Sequence, residues 1–238
     1  MSPSSSWQFD EMKHVGTDYS EVSEVEIFDD FHRQFRDVQK ENEAIIRALS
    51  IQPNHRGIDF GAGTGAFAIQ AAACSQEVYA VDISRGMLFY ARTKAEARGI
   101  SNIHFCHGGF LTYEHTDAPV DFIVTSLALH HLPDFWKGIA LRRLNAMLET
   151  EGRFFLSDVV YSGDDCEQSI SVWMSTLENT GGKALVEDAR IHVQSEYSTY
   201  AWVMTSLIEK AGFRIDRVDY DQGVLAQYLC TKITEGVK

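Results

Sequence analysis

Between residues 57 and 160 the chain switches its hydrophobic period repeatedly, and this alternation is what most restricts its fold. Gly57 to Phe60 reads as a strand, Thr64 to Cys74 as a helix, Glu77 to Val81 as a strand, and Ser84 to Arg98 as a helix closed by Gly99. Asn102 to His107 and Val120 to Ser126 are the next strands, Pro133 to Leu148 the next helix, and Arg153 to Val160 a further strand. Strands linked through helices form parallel crossovers. The expected architecture is therefore an α/β, Rossmann-like, doubly wound sheet with helices on both faces.

The flanks behave differently. Val25, Phe28, Phe31, Phe35, Val38, Ile45, Ile46 and Leu49 recur mostly at spacings of three and four, which predicts a long amphipathic helix from Val22 that stops near Pro53. Residues 163–196 hold polar, Gly-interrupted helical segments around Trp173 and Gly181-Gly182, expected as an insertion over one edge of the sheet. Tyr197 to Ala211 is again helical, with Gly212 as its stop. Phe213 to Tyr220 and Val224 to Thr231 are strands separated by Asp221-Gln222-Gly223, too few residues for a parallel crossover. They form a hairpin, which puts one antiparallel strand on a parallel sheet.

Composition removes some functions. With 45% hydrophobic residues in 238 there is enough apolar material for a packed core. A net charge of −13 without a run of Lys or Arg opposes sequence-independent binding to nucleic acid. Met1 to Val15 contains no apolar run before a cleavage site, and no stretch reaches the roughly 18 apolar residues of a membrane helix. Cys74, Cys106, Cys166 and Cys230 stand far apart, as expected of reduced thiols in a cytoplasmic protein.

Asp59-Phe60-Gly61-Ala62-Gly63-Thr64-Gly65 is placed where the first strand runs into a helix. Glycines there allow a sharp turn and close approach to a ligand, and the helix start offers free N–H groups. Gly61-x-Gly63-x-x-Ala66 also satisfies the dinucleotide fingerprint, with Asp82 standing 21 residues after Gly61 as its ribose-binding acid. Charge separates the two ligands. A dinucleotide brings an anionic pyrophosphate towards Asp59, whereas S-adenosylmethionine brings a sulfonium and an ammonium. Opposite charges near 4 Å attract by about 4 kcal/mol at an effective dielectric near 20, before desolvation is subtracted. Asp59 favours the cationic ligand, its alternative role being a cap at the strand end.

On these residues the chain resembles the class I S-adenosylmethionine-dependent methyltransferases, from about Ile58 to Val160 and more weakly to the final hairpin. The resemblance implies that Asp59, Gly61, Gly63 and Gly65 form the loop on the methionine side, that Asp82 holds the ribose hydroxyls, and that Ile83 packs beside adenine. It adds Met87, Ser126 and Leu127 to the cofactor set. In His107-Gly108-Gly109-Phe110 the family's usual adenine-contacting acid is missing, which leaves adenine to the Gly109 backbone and Phe110. Leu127 to Asp134 and Leu141 to Asp158 look like the family's next segments, with Thr150 and Glu151 in place of Pro-Gly. Gly16 to Tyr19 and Phe35 to Asp37 resemble the lid of small-molecule members, which brings Tyr19 and Arg36 to the site. Arg36 either forks onto the cofactor carboxylate or stays solvated beside Asp37. The implied strand order is 3-2-1-4-5-7-6. The implied division is a lid over 1–52, a cofactor-binding core over 53–162, a substrate cap over 163–196, and a helix and hairpin completing the core over 197–238.

Methyl transfer from a sulfonium to a small-molecule acceptor is an in-line displacement, so the protein contributes mainly alignment and exclusion of water. A base is needed only for an acceptor protonated at working pH. His130 and His131 follow the fourth strand and are the candidate catalytic pair, the alternative being a packing and capping role. Trp7, Phe9, Tyr19, Trp173, Tyr197 and Tyr200 either roof the site or belong to the core. The other histidines, His192 among them, form no pair at metal-ligand spacing on one element, and no metal is expected. A module that binds the cofactor without transfer, transfer to RNA or protein, and cleavage or cyclisation of the cofactor stand as alternatives. The reading leaves room for a homodimer.

Overall fold

The structure is a computed structural model that describes residues 7–13 and 36–233. Tyr19, and the part of the amphipathic helix expected before residue 36, lie outside the described residues. The remainder of that helix is α1, Val38–Leu49, opened by the Asp37 side chain on the Lys40 N–H and closed by Ser50 in a left-handed conformation. It stops short of Pro53 because of that turn.

The alternating stretch forms β1 (Arg56–Phe60), α2 (Ala66–Ala72), β2 (Glu77–Asp82), α3 (Arg85–Ala97), β3 (Ile103–His107) and β4 (Val120–Ser126). A single 3-10 turn, Leu129–His131, then leads to α4 (Asp134–Met147) and β5 (Leu148–Tyr161). The insertion is one long helix, α5 (Cys166–Ser195), kinked where Gly182 leaves helical geometry. It is followed by β6 (Thr199–Tyr200), α6 (Ala201–Lys210), β7 (Phe213–Asp221) and β8 (Leu225–Lys232).

The strands run in the order β3-β2-β1-β4-β5-β8-β7, and β6 pairs with β5. Once the two-residue β6 is set aside, this is the expected path. β8 is antiparallel to both of its neighbours, and every other pairing is parallel. Two residues carry no periodicity, so β6 has no signal in the sequence.

Each face of the sheet has its own core. Along β2, Val78 and Ala80 join Ile45 and Leu49 of α1 and Phe67 of α2 on one side, while Tyr79 and Val81 join Phe60, Leu141 and Ile208 on the other. Alternate residues of a strand point to opposite faces, which is why a short apolar run can feed two helical layers. Among the described residues no helix is long and apolar enough to cross a membrane. All four cysteines are free thiols.

Candidate functional site

The winding direction of the sheet reverses between β1 and β4, and the crevice at the carboxyl ends of these strands is where such a fold takes ligands. β1 runs straight into the glycine loop. Gly61 has φ +70°, and a side chain there would meet the Ala128 methyl at 2.3 Å, so loop packing requires glycine. Gly63 also has positive φ, but nothing lies within 4 Å of the place a side chain would take. That room is available to a ligand. Gly65, again at positive φ, caps α2.

Asp82, at the end of β2, accepts from the Gly63 N–H at 2.8 Å and from the Ser84 N–H at 2.7 Å. It fastens the loop to the start of α3. A carboxylate offers about four acceptor positions, so this duty is compatible with receiving a ribose hydroxyl. Asp59 is only 4% exposed and accepts from the Ala68 N–H in the first turn of α2. The capping contact considered from the sequence is thus made. Burial, followed by the nearby Asp82 charge, pushes the Asp59 carboxyl up to about 7.

Ile83 is half-buried, and its carbonyl lies 3.0 Å from His107 Nε2. Met87 is buried, with its N–H on the Ser84 hydroxyl. Phe110 stacks on Phe60 with ring centroids 5.3 Å apart, which places it in the core beneath the crevice. Glu11 is the unexpected residue here. Its Oε1 accepts from the Leu111 N–H at 2.8 Å and from the Thr112 hydroxyl at 2.7 Å, and its Oε2 stands 2.6 Å from where a Cβ on Gly109 would be. An acid from the N-terminal arm therefore stands where the loop lacks one. Burial raises its carboxyl above the usual range.

On the opposite rim, Ser126 ends β4 and Leu127 adopts φ +51°, a strained conformation for a leucine, with its N–H held by the Ser157 carbonyl at 2.8 Å. His130 is nearly buried. Its N–H reaches Asp158 Oδ2 at 3.0 Å, its Nδ1 lies 2.5 Å from Asp158 Oδ1, and its Nε2 lies 3.2 Å from Glu196 Oε2. The Nδ1 of His192 also closes on Glu196 Oε2, and its Nε2 sits 2.8 Å from the Ser198 hydroxyl.

Burial by itself would lower His130, but Asp158 and Glu196 outweigh it and raise the imidazole to about 9. Burial would raise both carboxylates, yet the imidazoles hold Asp158 and Glu196 below the usual range. His131 has no carboxylate in hydrogen-bond contact among the described residues. Burial, then the charge of His130, lowers it to about 4.

Arg36 forks onto Glu41, with Nη2 at 2.5 Å and Nε at 3.1 Å. Trp7 stacks on Trp136 at 5.8 Å, and Phe9 meets Trp136 and, edge-on, Tyr197 at 6.2 Å. A cavity of about 380 Å³ beside Asp117 and Arg143 carries none of the motif residues.

The crevice thus joins Asp59, Gly61, Gly63, Gly65 and Asp82 on one rim with Ser126, Leu127, His130 and His131 on the other. Sequence reasoning missed Glu11, Glu196 and the part played by His192. Glu11 had no local signal, whereas His192 and Glu196 lie one helical turn apart, a spacing that a search for histidine pairs passes over. Open room at Gly63, a loop-bound carboxylate at Asp82 and a buried acid at Asp59 fit a cofactor carrying a ribose and positive charge.

Comparison with known proteins agrees. A family profile described as a methyltransferase domain matches residues 58–152. An uncharacterised methyltransferase of Bacillus cereus is 25% identical over 207 residues, covering 87% of this chain and 88% of the relative. A SAM-dependent methyltransferase from Aquifex aeolicus superposes with a TM-score of 0.62 at 18% identity, over 90% of this chain and 99% of that one. Magnesium protoporphyrin IX methyltransferase from Synechocystis, solved with bound SAH, gives 0.60 at 17% identity over 93% and 91%. These two show the shared fold. The matched domain begins at the strand that feeds the glycine loop. Residues 58–152 thus form a methyltransferase domain, which makes the chain an enzyme of methyl transfer, carried on the fold that S-adenosylmethionine-dependent methyltransferases share.

Proposed function

We propose that this enzyme methylates a small molecule by in-line displacement, under a roof made by the N-terminal arm and the end of α5. The observation that carries this reading is the contact of Phe9 with Tyr197. It joins the N-terminal arm to the segment after α5, whose Tyr197 N–H is bonded to the His130 carbonyl on the rim of the crevice. A site that these two segments would cover suits a small acceptor better than a folded macromolecule, and a net charge of −13 disfavours RNA.

The cofactor supplies an activated methyl group when bound. The chain's residues do the rest. Asp82 and the glycine loop would hold the ribose and methionine ends, Ile83 and Met87 would pack the adenine side, and Glu11 would take over the acceptor role that Gly109 lacks. Asp59 would set the negative potential. Leu127 and Ser126 would line the opposite wall. Closure by the arm and by the cap over 163–196 would exclude water and align the nucleophile near 3 to 3.5 Å from the methyl carbon. His130, engaged at both ring nitrogens, suits a positioning role better than proton abstraction. Arg36 would reach the cofactor carboxylate only by leaving Glu41.

Methyl-labelled S-adenosylmethionine incubated with a cell extract split by size tests the reading. Label is expected in the low-molecular-mass fraction. Label confined to RNA or protein would overturn it.

A further inference from the structure

We propose that His130, His192 and Glu196 form a site for a divalent transition-metal ion of the zinc type, with Asp158 and Ser198 orienting the two imidazoles. This departs from the expectation of no metal, and it does not depend on which acceptor is methylated. Nε2 of His130, Nδ1 of His192 and a carboxylate oxygen of Glu196 all lie within 4.8 Å of one another. Ligands about 2.0 to 2.1 Å from a tetrahedral ion stand roughly 3.3 Å apart; Nε2 of His130 is 3.2 Å from Glu196 Oε2, while Nδ1 of His192 lies closer to that oxygen and would draw back to admit the ion.

The outer nitrogens are already taken. His130 Nδ1 is on Asp158, itself fixed by the N–H groups of His130 and Val159, and His192 Nε2 is on the Ser198 hydroxyl. With the outer N–H donated to a carboxylate or hydroxyl, the inner nitrogen presents a lone pair once an incoming ion displaces its proton. This is the way metal-binding histidines are oriented.

Glu196 provides an independent observation. Its side chain is 7% exposed, and Oε2 is buried with no hydrogen bond of proper direction among the described residues, although both imidazoles crowd it. A buried carboxylate oxygen held only by ion pairs of poor direction is costly, and a cation placed between the three groups would satisfy it in place of the imidazole protons. Two imidazoles and one carboxylate are a borderline donor set that suits Zn²⁺ and its neighbours better than Mg²⁺ or Ca²⁺. Three protein ligands leave a fourth position for water or an oxygen of the acceptor.

The test uses the full chain, stripped with chelator and titrated with Co²⁺ and with Zn²⁺. One equivalent per chain is expected, with the visible absorption of tetrahedral cobalt and a rise in melting temperature on Zn²⁺ binding. Glu196→Gln and His192→Ala should each lower affinity 100-fold or more, and Asp158→Asn about 10- to 100-fold. Binding of S-adenosylhomocysteine, followed by calorimetry, reports whether each variant is folded, and His192→Asn replaces any that is not. No stoichiometric uptake by the native chain, or uptake unchanged in folded Glu196 and His192 variants, would overturn the proposal.

Discussion

The carboxylate of Glu11 occupies the space that a side chain on Gly109 would fill, with Oε2 2.6 Å from the position of the missing Cβ. Glu11→Ala should therefore weaken S-adenosylmethionine and its demethylated product alike, by about tenfold or ~1.4 kcal/mol. Gly109→Asp alone should clash with Glu11 and also weaken binding. The double variant should recover most of the loss, because one acid replaces the other. Calorimetry on all four proteins checks this, and unchanged affinity in Glu11→Ala would remove Glu11 from the site.

Asp82 joins the loop and α3 through two backbone N–H groups, at 2.8 and 2.7 Å. Asp82→Ala should lower affinity for both cofactor forms about 100-fold, or ~2.7 kcal/mol, since ribose contact and loop geometry are lost together. Asp82→Asn should fall between, as an amide carries one acceptor oxygen where the carboxylate has two. Equal affinities in the three proteins would contradict this.

Burial and Asp82 push Asp59 up to about 7. Because the folded pKa lies above the unfolded one, the folded state holds the extra proton between about pH 4 and 7. Stability from this group is then complete below the unfolded pKa and is lost as pH rises through about 7. Asp59→Asn should flatten that slope and melt higher near pH 8. A cationic ligand needs the carboxylate, so native affinity for S-adenosylmethionine should rise with pH up to about 7 and then level off, while Asp59→Asn binds weakly at every pH. Melting curves and calorimetry from pH 5.5 to 8.5 would expose a missing slope.

Phe9 touches Trp136 and Tyr197 without entering the deep core. Phe9→Ala should loosen the roof more than the fold. Release of S-adenosylhomocysteine, followed by stopped-flow fluorescence, should accelerate about fivefold, or ~1 kcal/mol, with a small change in melting temperature. A large drop in melting temperature with unchanged release would assign Phe9 to the core.

The sheet was legible because periodicity is a local record of burial. Val78 to Val81 alternate between two cores, and a strand that feeds both must be covered on both faces. The glycine loop was legible for a related reason, since positive φ at Gly61 and Gly63 is a backbone demand met within a few residues. Asp221-Gln222-Gly223 likewise announced the hairpin by being too short for anything else.

Other features depended on tertiary structure. Glu11 is separated from Leu111 by 100 residues of chain and from Thr112 by 101, and nothing near it in sequence marks it as their partner. Gly109 showed the gap but not what fills it. The adjacent pair His130-His131 could be seen in sequence, yet Asp158 and Glu196 raise His130 while burial and the His130 charge lower His131, and those acids arrive from β5 and the end of α5. The amino-acid order thus determined the sheet and the glycine loop, because each rests on short-range geometry. Which acid stands beside Gly109, and what surrounds His130, was decided by chain packing alone, since electrostatic partners are chosen by distance in space and leave no period in the sequence.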